Sequence, residues 1–292
     1  MITLNNEQDS LVYSDDSILA DTWKAIRQYE EIRALGMDSF SISILRGYVL
    51  LSGHVSKKYH RDLMEEIAKA LPGVHAVHNK LVVDSDLTIQ VAERLSKDER
   101  TRHYIFPVGC AHGWVRLGGV VPRRELQLAA EKIAAQVPSV RGVLSRPRVI
   151  NEPFETERRA IQPRIKAKVI DYNRQEGVIT HVMIEPHNRL VTHAMVSVSD
   201  FHDGKSLIHE YLIPVEAMEM VNQESIILKR NGPPLNAYPV IELSSYPLPP
   251  SEWQPPYPYE DGFVRWTCEH HGGTEDRSSS DYLFPMQGTL SE

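Results

Sequence analysis

The chain has 292 residues, 41% hydrophobic and 24% charged, which is ordinary globular material long enough for two or three domains. A wholly disordered chain is excluded by that composition. Its 32 Lys+Arg against 39 Asp+Glu give a formal net charge of −7, so there is no overall pull toward nucleic acid or anionic lipid.

After a tail over residues 1–14, Ile18, Ala25, Tyr29 and Ile32 recur at helical spacing beside Leu19, Trp23 and Ile26. Phe40, Ile42 and Ile44 alternate with serines as in a half-buried strand, Arg46-Gly47 forms a turn, and Val49, Leu51 and Val55 form the returning strand. A second helix carries Tyr59, Leu63, Ile67 and Leu71 and is stopped by Pro72-Gly73; Val74, Val77, Leu81 and Val83 supply a last strand.

The same plan then repeats. Gly47-Tyr-Val-Leu-Leu-Ser-Gly53 is echoed by Gly113-Trp-Val-Arg-Leu-Gly-Gly119 at an offset of 66 residues. That register continues without a gap through Glu65/Glu131, Ile67/Ile133, Pro72/Pro138, Val77/Val143 and Val83/Val149, the mark of a tandem duplication. The units span 15–85 and 86–150, each helix, strand, strand, helix, strand. The second has a shorter first connection, and Leu126, Ala129, Ala130, Ile133 and Val137 line its second helix. Glycine at both Gly53 and Gly119 points to a close approach of backbone or helix. Pro147 removes a ladder donor, so the last strand of the second unit lies at an edge or begins after it.

Residues 151–163 are polar and read as a linker. From Arg164 the pattern is β: Ile165 to Val169, Val178 to Ile184, Leu190 to Val198, Ile208 to Ile213 and Ile226 to Leu228. Pro186 to Arg189 and Asp200 to Gly204 read as turns and Val215 to Val221 as a short helical turn, which predicts a small barrel over 164–246. From Pro247 the proline density excludes helix and central strand, and the segment can lie extended along a barrel surface or serve as a ligand for a partner groove. Beyond Trp266 the composition predicts disorder.

The Gly-Val-x-Leu-x-Gly-x-Val strand, a helix, then Pro-Gly-Val-x-x-Val-x-Asn resembles the BON domain family. It is carried here by Gly47, Val49, Leu51, Gly53, Val55, Pro72, Gly73, Val74, Val77 and Asn79. The second copy departs from it, with Ser139 for the glycine and Ser145 for the asparagine. Gly177-Val-Ile, Glu185-Pro-His-Asn-Arg189 and Ile213-Pro-Val-Glu-Ala-Met-Glu-Met-Val221 resemble the PRC-barrel family, with Asn188 or Arg189 where that hairpin has a glycine. Together these imply an α+β chain: two tandem α-β-β-α-β units, a small all-β barrel, and a Pro-rich, largely disordered tail over 247–292.

No Walker loop, Gly-x-Gly-x-x-Gly, Gly-x-Ser-x-Gly or His-Glu-x-x-His occurs, and neither family has a common catalytic constellation; the expectation is no enzyme and no cofactor. His181, His187 and His193 around one hairpin, and Cys268, His270 and His271 in the tail, are possible metal ligands, but strand-exposed histidines and a solvated tail are the commoner states. Asp200 to Gly204 lacks the acidic spacing of a calcium loop. Cys110 and Cys268 are too few for a disulfide framework, which fits a reducing compartment. The N-terminus lacks a secretory pattern, and no apolar run approaches the about 20 residues that span a bilayer. A cytoplasmic protein, at most peripheral to the inner face of the membrane, is expected.

Charge is uneven. Residues 86–150 carry 11 basic against 6 acidic side chains, while 151–292 carry 12 against 21. Arg116, Arg123, Arg124, Arg141, Arg146 and Arg148 in this basic island are candidate lipid- or anion-binding residues, against a solvated face or a salt-bridged contact with the acidic barrel. Three readings follow: a scaffold that docks a protein partner or self-associates; peripheral binding of anionic phospholipid, as the BON resemblance implies; and a ribosome or nucleic-acid adaptor. The acidic barrel disfavours the third.

Overall fold

The computed structural model describes residues 13–36, 39–153, 155–202, 205–222, 224–260 and 262–267. The N-terminal tail as far as residue 12, Cys268, His270, His271 and the disorder expected of the chain end lie outside the described residues.

In the first unit, helix α1 (Asp15–Ile26) starts where the Ser14 side chain accepts from the Ser17 N–H and Asp15 and Asp16 meet the positive end of the helix. The helix expected to run through Ile32 stops at Ile26, because the Gln28 and Tyr29 N–H groups bond only three residues back, to Ala25 and Ile26. One further turn, α2 (Glu30–Arg33), sets Ile32 into the core. Strands β1 (Phe40–Leu45) and β2 (Tyr48–Val55) pair antiparallel, helix α3 (Lys58–Lys69) crosses over, and β3 (Ala76–Val83) pairs parallel to β2. Phe40, Val49, Leu51 and Val55 meet Met64, Ile67 and Ala68 on the helix side of this sheet.

The second unit follows without a break, since β3 runs directly into α4 (Asp84–Lys97). Its elements are β4 (Val108–Ala111), β5 (Trp114–Leu117), β6 (Val120–Val121), α5 (Arg124–Ala135), β7 (Gly142–Ser145) and β8 (Arg148–Val149). Where the first unit has one three-stranded sheet, this one has β4-β5-β7 and a separate β6-β8 pair. Pro147 divides the last strand, which resumes after it.

Gly53 and Gly119 explain the shared glycine. They have φ of +106° and +101°, and a Cβ on Gly53 would lie 2.4 Å from the Ser39 carbonyl oxygen. The close approach is to backbone, so even a methyl group meets an obstacle that cannot swing away. Gly53→Ala is therefore expected to cost at least about 2 kcal/mol in equilibrium denaturation, with Gly53→Val worse. An alanine variant as stable as the wild type would contradict this.

The C-terminal domain is all β, built from β9 (Lys168–Ile170), β10 (Glu176–Ile184), β11 (Val191–His202), β12 (Lys205–Pro214), β13 (Met218–Asn222), β14 (Ser225–Leu228) and β15 (Val264–Trp266). They form a seven-stranded sheet with the path β12-β11-β10-β9-β14-β13, and β15 joins it on β10. This hydrogen-bonded path ends at β12 and β13 instead of returning on itself. The first strand begins at Lys168, later than expected, because Lys166 is left-handed with φ of +71°. The helical turn expected over 215–221 is limited to Val215–Ala217; Met218 is then fully buried and starts β13. Asp200 to His202 belong to β11 instead of the turn expected over Asp200 to Gly204, and the rest of that turn lies outside the described residues. The Pro-rich segment is ordered against the domain and ends in β15, which runs parallel to β10 from Val182 to Ile184. No helix among the described residues is long and apolar enough to cross a membrane.

Candidate interaction site

Each unit fixes its central hairpin turn with one aspartate at the start of its first helix. Asp15 accepts from the Arg46 and Gly47 N–H groups at 2.7 and 2.8 Å, and Asp84 from His112 and Gly113 at 2.6 and 2.8 Å. The backbone bonds hold the Asp15 carboxyl below the usual carboxylate range. Burial and the Asp84 charge push the neighbouring Cys110 thiol far up, so it is no reactive thiolate.

The junction between domains is built around two arginines. Arg141 is 8% exposed. Its guanidinium donates to Gln162 Oε1 at 3.0 and 2.6 Å and to the His112 carbonyl at 3.1 Å. It also lies over the rings of Trp114 at 4.8 Å and Tyr257 at 5.2 Å. Arg189 occupies the left-handed position of its hairpin, φ +63°, which the sequence reading gave to Asn188 or Arg189 in place of glycine. Buried to 3% exposure, it reaches the Ala135 carbonyl at the end of α5 and the Gln254 carbonyl, and stacks over Trp253 at 4.7 Å. A cation suits that helix end. Burial lowers Arg189 to about 10, still charged at neutral pH. Linker, hairpin and Pro-rich segment thus converge on the second unit.

The other arginines of the basic island divide. Arg116 pairs with Glu157 at 2.7 Å, Arg124 with Glu152 at 2.7 Å and Glu155 at 3.3 Å, and Arg146 with Glu155 at 2.6 Å and Glu131 at 3.6 Å. Glu131 is 97% covered and also bonds Arg158; burial raises its pKa against the pull of both arginines. Arg123 and Arg148 form no ion pair among the described residues. The linker between units and β domain therefore lies along the basic island and neutralises much of it. The histidine hairpin assembles no metal site: His187 bonds Glu185 at 3.0 Å, His193 bonds Thr192 at 3.1 Å, and the described residues hold no group of three or more His, Cys, Asp or Glu arranged for a metal.

The duplication allows a direct comparison of the two sheet faces that point away from their helices. In the second unit this face is covered along β7, where Leu144 is 4% exposed, a Cβ on Gly142 would meet Leu190 at 2.8 Å, and Arg158 and Asn188 bond the backbone, while Gly109 and Ala111 on β4 stay exposed. In the first unit the equivalent positions are open at the turn end of the sheet. Leu45 is 71% and Tyr48 50% exposed, with the His75 and His78 rings against Tyr48.

Between the units, His54 is buried and its Nε2–H donates to the carbonyl of Ser139 at 2.8 Å. Ser139 is left-handed, φ +67°, like Gly73 at the matching position of the first unit. Burial holds His54 at about 4 against the ordinary 6.5, opposed by the bond to Ser139 and reinforced by the Arg141 charge. Burial does the same to His193, also about 4. Between pH 6.5 and 4 the unfolded chain binds the extra protons, so stability falls as pH falls through that window, by about 3 kcal/mol for His54. Denaturation midpoints measured from pH 7 to 4.5 should drop, and His54→Gln should flatten the slope. An unchanged slope would remove His54 from this role.

The BON domain model matches the chain twice, over residues 14–85 and 83–150, so these residues form tandem BON domains. No curated protein matches the chain. Among solved structures, two of CdsD, a structural protein of the type III secretion system of Chlamydia trachomatis, are similar at 15% identity. One covers 45% of this chain and 60% of its own with a TM-score of 0.36. The other, of the C-terminal domain of CdsD, covers 47% and 66% with a TM-score of 0.37. The match thus spans less than two thirds of either CdsD chain.

Proposed function

We propose that this chain is a non-enzymatic interaction scaffold that docks a protein partner, or a second copy of itself, through the open sheet face of its first BON domain. The observation that carries this reading is the contrast between the twins. The second domain uses its face to seat the linker and the β-domain hairpin, whereas the first presents Leu45, Tyr48 and His78 to solvent. Exposed aromatic and aliphatic groups beside an edge strand, β3, favour an added peptide segment or sheet. The all-β domain is read as PRC-barrel-like, on the Glu185–Arg189 hairpin and the strand pattern that follows it.

Leu45→Glu/Tyr48→Glu should abolish the association without unfolding the chain. Sedimentation velocity over a concentration series tests the self-association arm, and cross-linking in native lysate, wild type against variant, tests the partner arm. A wild type that remains monomeric and cross-links to nothing the variant misses would overturn the reading. Peripheral phospholipid binding is a second reading, favoured by Arg123 and Arg148, which form no ion pair among the described residues. It predicts that anionic vesicles sediment the wild type at low salt and lose it in Arg123→Glu/Arg148→Glu.

A further inference from the structure

At the other end of the first BON sheet, the β domain and the Pro-rich segment roof a cleft of about 780 Å³, within the size range of small-molecule sites. We propose that this cleft binds an oxyanion of the phosphate-ester or polyphosphate class.

Charge is the first argument. Lys80 comes from β3, and Arg164 and Lys166 from the start of the β domain, so three cations from two domains line one cleft. None of them forms an ion pair among the described residues, and Glu260 is the one carboxylate among the described lining residues. The basic island offers the contrast, since Arg116, Arg124 and Arg146 are each met by a glutamate. Unmatched cations gathered in a recess attract an anion of more than one charge.

Hydrogen bonding is the second argument, and it is independent of the first. His54 is 1% exposed and lines the cleft, yet its Nδ1 has no partner; the Tyr257 hydroxyl, also in the lining, is equally buried and equally unpartnered. Buried polar atoms are seldom left in this state. Because Nε2 carries the proton donated to Ser139, Nδ1 is an acceptor, while Tyr257 can donate. A monoprotonated phosphate has both complements, a P–OH that donates and oxygens that accept, and a charge that suits the three cations; it reaches Nδ1 and the Tyr257 hydroxyl once the side chains that cover these two atoms move aside. The rings of Tyr257 and Phe263 offer an apolar wall to the organic part of an ester.

Calorimetry of the full chain at low salt, with pyrophosphate, inorganic phosphate and glycerol 3-phosphate as probes, tests this. One site per chain is expected, weakened at least about tenfold by Lys80→Glu or Arg164→Glu. Tyr257→Phe, which keeps the ring over Arg141 and removes only the hydroxyl, should also weaken binding. Lys132→Glu, on α5 and outside the cleft, makes the same charge change and should leave it within twofold. Circular dichroism confirms that each variant is folded. Sedimentation with phosphatidic acid vesicles separates the sources: glycerol 3-phosphate binding without vesicle binding indicates a soluble ligand, and vesicle binding lost in Lys80→Glu indicates a lipid headgroup. No binding of any of these probes at millimolar concentration, or equal weakening by Lys132→Glu and Lys80→Glu, overturns the proposal.

Discussion

The arrangement of domains depends on two buried guanidinium groups, Arg141 and Arg189. Arg141 lies between the Trp114 and Tyr257 rings while Gln162 and His112 accept its hydrogen bonds. Arg189 joins the end of α5, the β-domain hairpin and the Pro-rich segment. A buried charge is expensive unless its donors are met and its solvation replaced. Here backbone carbonyls, one amide and aromatic faces do this for most of the donors, the Arg189 Nε–H having no partner among the described residues. Each arginine therefore keeps its neighbours in place, because moving any one of them would leave a cation partly unsatisfied inside the protein.

This constraint makes the two BON domains differ in use although they share a plan. Offset positions that are Tyr48 and His78 in the first become Trp114, half-buried, and Leu144, buried, in the second, while Leu45 becomes Ala111, which stays exposed but is far smaller. Likewise His75 of the first corresponds to Arg141 of the second, the residue that captures Tyr257. The glutamate common to both also changes company. Glu65 accepts from Asn79 and Lys69, whereas Glu131 takes Arg146 and the linker's Arg158. Duplication supplied two equal faces, and substitution turned one of them inward.

Much of this was legible in the chain. The 66-residue register located both units, Gly53 and Gly119 announced a close approach of backbone or helix, which proves to be backbone, and Pro147 announced an edge strand or a late start, where the strand is in fact divided. What stayed hidden was mostly long-range. Asp15 and Asp84 have the same role, but the shorter first connection of the second unit moves them out of the common offset. Arg189 was hidden because a left-handed hairpin position suggests glycine or asparagine, and only the Trp253 face and two carbonyls explain an arginine there. The prolines argued against a strand after Pro247, and β15 forms only beyond the last of them in the described segment. The ion pairs of the basic island had a local signal, the glutamates at 152, 155 and 157 just beyond the second unit, but their partners are fixed by the path of the linker.

Hydrogen–deuterium exchange across the chain, wild type against Tyr257→Ala, tests the coupling most directly. If the Pro-rich segment is held through Arg141, removing one ring of its sandwich should release protection together in the segment around Tyr257, in β7 and in the linker near Gln162. Loss of protection confined to the residues flanking position 257, with β7 and the linker unchanged, would contradict the account.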